Sequence, residues 1–332
     1  MRFASIFPDG RAGRGGVAIA VVLSGVLAAA QSGAPPAVYR AGTELVVLQV
    51  SVSDAQRRHV PGLRAENFTV FDEGVPQPLA VFATSDAPLD VMLMVDTSGS
   101  MDVWLSVAKL AAADLVRSLR PDDRAGLILF DVGATVAHAL SEKHDSVIAA
   151  IRAVSPGGAT ALYESVYIGL HTLAQKRRAD SAVRRQALVV LTDGADNASH
   201  IPFEQALHAA RSGDVTIFTI MPGIPPPEAV VTPAAEWRNA TARFEMRRLA
   251  EDTGGRAFAT ASPAALTDVY EQIGNELRAQ YWLAYASSAG RPGFRRVSVR
   301  VNDPPGLRAR TRSGYIAGSS TSARSTPPAG RQ

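Results

Sequence analysis

The sequence predicts an α/β protein: a doubly wound, mainly parallel sheet with a smaller β module beside it. Three observations carry this prediction. The apolar runs Val91–Val95, Leu127–Phe130, Ala187–Leu191 and Val215–Ile220 lack polar alternation, as strands covered on both faces do. Stretches with apolar residues at helical spacing alternate with them, at Val103–Leu119, Val147–Val154, Leu162–Leu173 and Phe203–Ala210. On both flanks of this region the period falls to two, the pattern of antiparallel strands with one covered face.

The first thirty residues carry the marks of an export signal. Arg2, Arg11 and Arg14 form a cationic start, Gly16 to Ala30 is apolar or small apart from Ser24, and Ala28-Ala29-Ala30 offers a small-residue cleavage site. A membrane anchor is the alternative, but this apolar core is shorter than the ~20 residues a span needs, and no later stretch is long enough. The expected mature chain therefore has no stable transmembrane span. With no cysteine among its 332 residues, the chain forms no disulfide and carries no cysteine-linked lipid, so its apolar core must hold it together.

From Gly42 to Ala83 the alternation is antiparallel. Leu48, Val50 and Val52 share one face, Asn67–Phe71 and Leu79–Phe82 repeat the pattern, and Asp72-Glu73-Gly74 makes a turn between them. After Pro88 the strand–helix alternation begins. Pro222 to Glu236, with five prolines, is expected to be a loop or insertion. A helix from about Thr241 should end at Thr253-Gly254-Gly255 in a left-handed cap. Another should run from about Ala264 to Arg278, with Ser262 as N-cap and Pro263 at its first position. Two-residue alternation then returns in Tyr281, Leu283 and Tyr285, and in Val297, Val299 and Val301, with Arg308–Tyr315 as a further strand. The expected organisation is a signal peptide over 1–30 and an N-terminal β segment over 31–88. An α/β domain over 89–279 follows, then a C-terminal β segment over 280–317 packing with the N-terminal one. The Ser/Thr/Pro/Gly-rich tail over 318–332 is expected to be disordered.

The chemistry concentrates where apolar strands end. Asp96, Ser98 and Ser100 follow Val91–Val95 at the carboxyl end of a central strand, where open α/β sheets place their ligand crevices. One carboxylate and two hydroxyls at alternate positions turn hard oxygen atoms toward one point, a set that Mg²⁺ or Mn²⁺ prefers. Ser155–Thr160 is a flexible loop delivering a hydroxyl just before a helix. Val189–Gly194 ends a second buried strand with Asp193 at its tip. Asp96, Ser98, Ser100, Thr160 and Asp193 together supply five oxygens, some acting through water, and leave a position for a sixth ligand. The plainer reading of Asp96 or Ser100 is a cap on the helix beginning near Asp102. Asp131 and Asp196 are expected to cap loops, and Trp237 and Trp282 to be packing residues. The six histidines show no paired metal-ligand spacing. The formal charge of +3 comes from scattered arginines with no basic block interleaved with aromatics, so a nucleic-acid partner is not supported.

Three segments carry a resemblance: Asp96-Thr97-Ser98-Gly99-Ser100-Met101, Gly157-Gly158-Ala159-Thr160 and Leu191-Thr192-Asp193-Gly194. In that order they resemble the von Willebrand factor A domain with its metal-ion-dependent adhesion site, over about Leu89 to Leu277. The flanks resemble a bacterial exported subgroup through Asn67-Phe68-Thr69-Val70, Gly74-Val75-Pro76-Gln77, Gln280-Tyr281-Trp282-Leu283 and Arg310-Thr311-Arg312-Ser313-Gly314-Tyr315. The proline-rich stretch after Ile220 and the long region before the signal core depart from the family. The resemblance implies a Rossmann-like fold and binding without turnover. It also implies direct coordination by Ser98 and Ser100, with Thr160 joining when ligand binds. One or both of Asp96 and Asp193 would act through water. A cation with few directly bound carboxylates keeps positive charge and accepts an Asp or Glu of a protein partner as its last ligand. The expected function is an exported interaction or adhesion module in the periplasm, at the cell envelope or secreted. One alternative is a metal-free scaffold whose β module binds the partner. Another is an aspartic hydrolase using Asp96 and Asp193, which Ser98, standing where that class needs glycine, argues against.

Overall fold

The computed structural model describes residues 44–84, 87–180, 184–193, 196–222, 232–287 and 292–317. The expected signal peptide and the C-terminal tail lie outside these residues, as do Gly194 and most of the proline-rich stretch after Ile220.

The central sheet has six strands. β5 (Leu89–Asp96) lies at its middle, paired in parallel with β6 (Arg124–Phe130) on one side and β8 (Arg185–Leu191) on the other. Beyond β8 follow β9 (Val215–Pro222) and β10 (Ala257–Thr260), also parallel, while β7 (Ala134–Ser141) closes the other edge antiparallel to β6. Every residue of β5 is buried, because helices cover both faces. Val91, Leu93 and Val95 point toward α1 (Asp102–Arg117), α2 (His144–Arg152) and α6 (Ala265–Arg278). Met92 and Met94 point toward α3 (Leu162–Ala179), α4 (Phe203–Ser212) and α5 (Pro233–Asp252). This is the doubly wound architecture expected from the run-and-period pattern, with the chain reversing its winding direction at β5.

The flanking β module is a sandwich built from both sides of the α/β domain. One sheet orders β13 (Arg308–Arg310), β1 (Glu44–Ser53), β11 (Tyr281–Ser287) and β4 (Leu79–Thr84). The other orders β14 (Gly314–Ala317), β12 (Gly293–Val301), β2 (Phe68–Asp72) and β3 (Val75–Gln77). Leu48, Val50, Val70, Leu283, Tyr285 and Val297 fill the space between them. A buried polar knot ties the two sheets. Asp72 on β2 accepts hydrogen bonds from the hydroxyls of Tyr285 (3.0 Å) and Tyr315 (3.1 Å), and its other oxygen pairs with Arg295 (3.0 Å).

The sandwich grips the α/β domain at the amino ends of the parallel strands. Arg310 reaches the carbonyl of Gly254 (3.1 Å) and the carboxylate of Glu276, and Arg312 pairs with Asp214 (2.7 Å). The Ser313 N–H donates to the carbonyl of Asp252 (3.1 Å). Gly254, at φ +82, ends α5 in the left-handed conformation, and a side chain there would strike the backbone of Thr311 and Arg312. The Arg310–Tyr315 segment thus works as a clamp on α4, α5 and α6 at the edge away from the carboxyl end of β5.

Several local expectations need correction. α5 begins at Pro233 and not near Thr241, because proline is well placed in a first helical turn. Ser262 does not cap α6 with its side chain; the N-cap is Ala264. β7 and β10 were not expected as strands. β7 is largely exposed and lacks a sustained apolar face, and β10 has four residues. Trp282 is buried, but Trp237 is 70% exposed and does not pack.

Removing Asp72 would take the carboxylate away from Arg295 and the Tyr285 hydroxyl inside the sandwich, and would leave Tyr315 with Ser287 (2.6 Å). Asp72→Ala should therefore lower unfolding free energy by about 3–5 kcal/mol in urea titration, and Tyr285→Phe by roughly 1 kcal/mol.

Candidate metal centre

Asp96 is placed by the burial of the strand that carries it. β5 ends with no freedom to shift, and its terminal carboxylate arrives fully buried at the carboxyl edge of the sheet. The Ser98 N–H donates to one of its oxygens (2.9 Å), and the Thr192 hydroxyl donates to the other (2.7 Å). The chain then turns through Gly99–Met101 into α1. Neither that turn nor α1 receives a side-chain cap, so the capping reading of Asp96 and Ser100 does not hold. Instead the Ser98 and Ser100 hydroxyls lie 3.2 Å apart, Ser98 buried and Ser100 exposed.

Asp193 arrives on the neighbouring strand. Val95 and Leu191 are paired in the sheet, so the residues that follow them emerge side by side. Asp193 is half-buried, and its charge acts on Asp96. Thr160 comes from the loop before α3 and is buried. Its N–H donates to the Asn197 side chain (2.9 Å), and its carbonyl accepts from the N–H groups of Asn197 (3.0 Å) and Ala198 (3.2 Å). The same loop is stitched to the first through the Gly157 N–H and the Thr97 carbonyl (2.6 Å), and to the β6–β7 turn through the Ala161 N–H and the Asp131 carbonyl (2.6 Å). Gly158 has φ +47, and a Cβ there would lie 2.7 Å from that of Asp131. Three loops carrying the five expected residues therefore meet at one edge.

Asp131 packs against this glycine pair. Asp196 accepts from the N–H of Tyr163 (2.9 Å) and the Ser199 hydroxyl (2.5 Å), holding the start of α3. Asp196 thus caps a loop, as expected, while the Asp131 side chain is placed by its packing on the glycine pair. Thr192 and Asn197 were not singled out from the sequence, although each adjoins a residue that was or lies one place beyond it. The signal was available in Leu191-Thr192-Asp193 and Asp196-Asn197: polar side chains at a strand tip, free to bond a neighbouring loop.

The electrostatics of Asp96 differ from those of the other buried carboxylates. At the opposite end of the same strand, Asp90 pairs with Arg124 (2.8 Å) and Arg184 (2.7 Å), and Asp72 pairs with Arg295. Asp123 accepts two backbone N–H groups, from Leu89 (2.8 Å) and Arg120 (2.9 Å). Asp96 has no arginine or lysine partner among the described residues. Burial pushes its carboxyl up to about 6 and the charge of Asp193 adds to this, against the hydrogen bonds from Ser98 and Thr192. Among the described residues no group of three or more His, Cys, Asp or Glu side chains is placed to hold a metal. A cation here would rest on two carboxylates and three hydroxyls. Those hard oxygens fit Mg²⁺ or Mn²⁺, and a buried carboxylate lacking a counter-charge is the chemistry such an ion satisfies.

A raised carboxyl pKa favours the protonated folded state. The contribution of Asp96 to metal-free stability is thus fully present below about pH 4 and lost as pH rises through about 6. Asp96→Asn should remove this slope and stabilise the EDTA-treated protein at pH 7.5 by on the order of 2–3 kcal/mol, measured by denaturant titration at pH 4 and pH 7.5. Gly158→Ala should cost roughly 1–3 kcal/mol, because it combines a left-handed φ with a close approach to Asp131.

Comparison with known proteins places the α/β domain. Residues 90–272 match the family model of the von Willebrand factor type A domain. No curated protein sequence matches the chain. Among solved structures it is similar in fold to a von Willebrand factor type A protein from Catenulispora acidiphila, at 14% identity and TM-score 0.49, covering 85% of this chain and 76% of that one. BatB from Bacteroides thetaiotaomicron is 20% identical at TM-score 0.43, over 57% of this chain and 99% of that one. Proximal thread matrix protein 1 of the mussel byssus is 19% identical at TM-score 0.45; 63% of this chain is covered, and only 50% of that one. The chain belongs to the von Willebrand factor type A domain family.

Proposed function

We propose that the protein is an exported, protein-binding module that captures an acidic residue of a partner through a divalent cation. Asp96, Ser98, Ser100, Thr160 and Asp193 would hold the ion, Mg²⁺ or Mn²⁺. The observation carrying this reading is Asp96 itself: a fully buried carboxylate beside a second one, facing two hydroxyls, with no basic side chain among the described residues to neutralise it. The bound ion would supply a positive charge able to accept a carboxylate from outside. The chain's own part is to hold its donors without closing the edge. Hydroxyls provide most of the shell, and with one or both of Asp96 and Asp193 acting through water the ion would keep positive charge for an incoming carboxylate. Thr192 and the Ser98 N–H orient Asp96, and Asn197 fixes the loop bearing Thr160. The reading is binding without turnover. Export rests on the sequence of the first thirty residues. No helix among the described residues is long and apolar enough to cross a membrane, which says nothing of a β-barrel.

Calorimetry should show one Mg²⁺ or Mn²⁺ bound per chain, and Asp96→Ala or Asp193→Ala should abolish it. In pull-downs from envelope extract, partners held by the wild type in Mg²⁺ should be lost both in EDTA and with Asp193→Ala. Partners kept in both controls would instead favour a metal-free scaffold.

A further inference from the structure

Two valines stand in solvent beside the donor set. Val103 is 74% exposed and Val132 is 64% exposed. Val103 lies in the first turn of α1, three residues beyond Ser100. Val132 follows Asp131, whose carbonyl holds the N–H of Ala161, next to Thr160, and whose side chain packs on Gly158, two residues before Thr160. Val103, at the start of α1, and Val132, on the β6–β7 turn, therefore stand on segments that carry or brace the donor set. Neither belongs to the apolar cores. A single exposed valine is ordinary in any protein. Two of them on the segments that carry and brace a carboxylate-and-hydroxyl cluster can supply an apolar rim to a polar centre, the anatomy of a recognition site.

We propose that Val103 and Val132 are specificity residues, selecting partner carboxylates that carry aliphatic groups next to the acid. This rests on the metal-held carboxylate reading above and adds the chemistry of its surroundings. An ion alone accepts any carboxylate that reaches it. A rim of β-branched side chains distinguishes among them, because each methylene it removes from water improves binding roughly threefold to fourfold. The preferred occupant is an Asp or Glu set among Val, Ile or Leu on a partner surface. An acid flanked by charged residues would leave the valines wet and gain nothing from them.

The test uses the full chain loaded with Mn²⁺ and a series of free carboxylates: acetate, butyrate and hexanoate. Proton relaxation of water reports Mn²⁺ binding, and relaxation of the ligand's own protons reports carboxylate binding. In the wild type, where the rim covers about two of the four added methylenes, affinity should rise about tenfold from acetate to hexanoate. In Val103→Ser/Val132→Ser, both surface changes, Mn²⁺ and acetate affinities should stay as in the wild type while the rise with chain length disappears. A flat wild-type series with acetate bound overturns the role of the valines and leaves carboxylate capture standing. A rise that persists in the double variant also overturns it. Bound Mn²⁺ with no carboxylate binding of any length overturns both readings, and absent Mn²⁺ binding overturns the metal centre itself.

Discussion

An uncompensated buried charge at the end of β5 is the constraint around which the molecule is arranged. Sealing a carboxylate from water without a counter-ion is costly, and proteins normally avoid it by pairing or by protonation. Here the same strand shows pairing at one end and not at the other. Asp90, at the start, is neutralised by arginines from β6 and from the residue before β8, and Asp96, at the end, is left with hydroxyls and an amide. The strand is rigid because both of its faces are covered, so the charge cannot swing out into solvent. Whatever neutralises it must come to it.

That arrangement divides the work between the two edges of the sheet. The amino edge carries the dense ion pairing: Asp90 with two arginines, Asp214 with Arg177 and Arg312, and Asp252 with Arg211. It also carries the clamp from the sandwich. The carboxyl edge is held chiefly by backbone hydrogen bonds between loops, which position donors while adding no cation of their own. Cohesion and recognition are thus placed at opposite ends, and the site can remain undercharged without loosening the fold.

Much of this was legible in the sequence because burial on both faces leaves a direct mark. Val91–Val95 and Ala187–Leu191 had no polar residue to accommodate, and that alone identified central strands and located Asp96 and Asp193 at their tips. Elements that depend on context left weaker marks. β7 pairs through its backbone while most of its side chains face water, so its periodicity carries little information. α5 extends into a proline-rich segment because its first turn needs no backbone donors there. Asn197 acts on the backbone of a residue 37 positions away, a relation no local pattern can express. The polar knot at Asp72 was equally invisible, since its partners come from β11, β12 and β14.

The described chain enters the structure at β1 and leaves it at β14, both strands of the sandwich. The sandwich is fastened to the amino edge of the sheet, the edge opposite Asp96. A connection to a larger body through either flank would leave the opposite rim turned outward, like a hook whose shank and point lie at different ends. The Arg310–Tyr315 clamp then has a mechanical meaning. Tension between an anchored flank and a captured partner would run through Arg310, Arg312 and the ends of α4, α5 and α6 before reaching the strands that bear the donors.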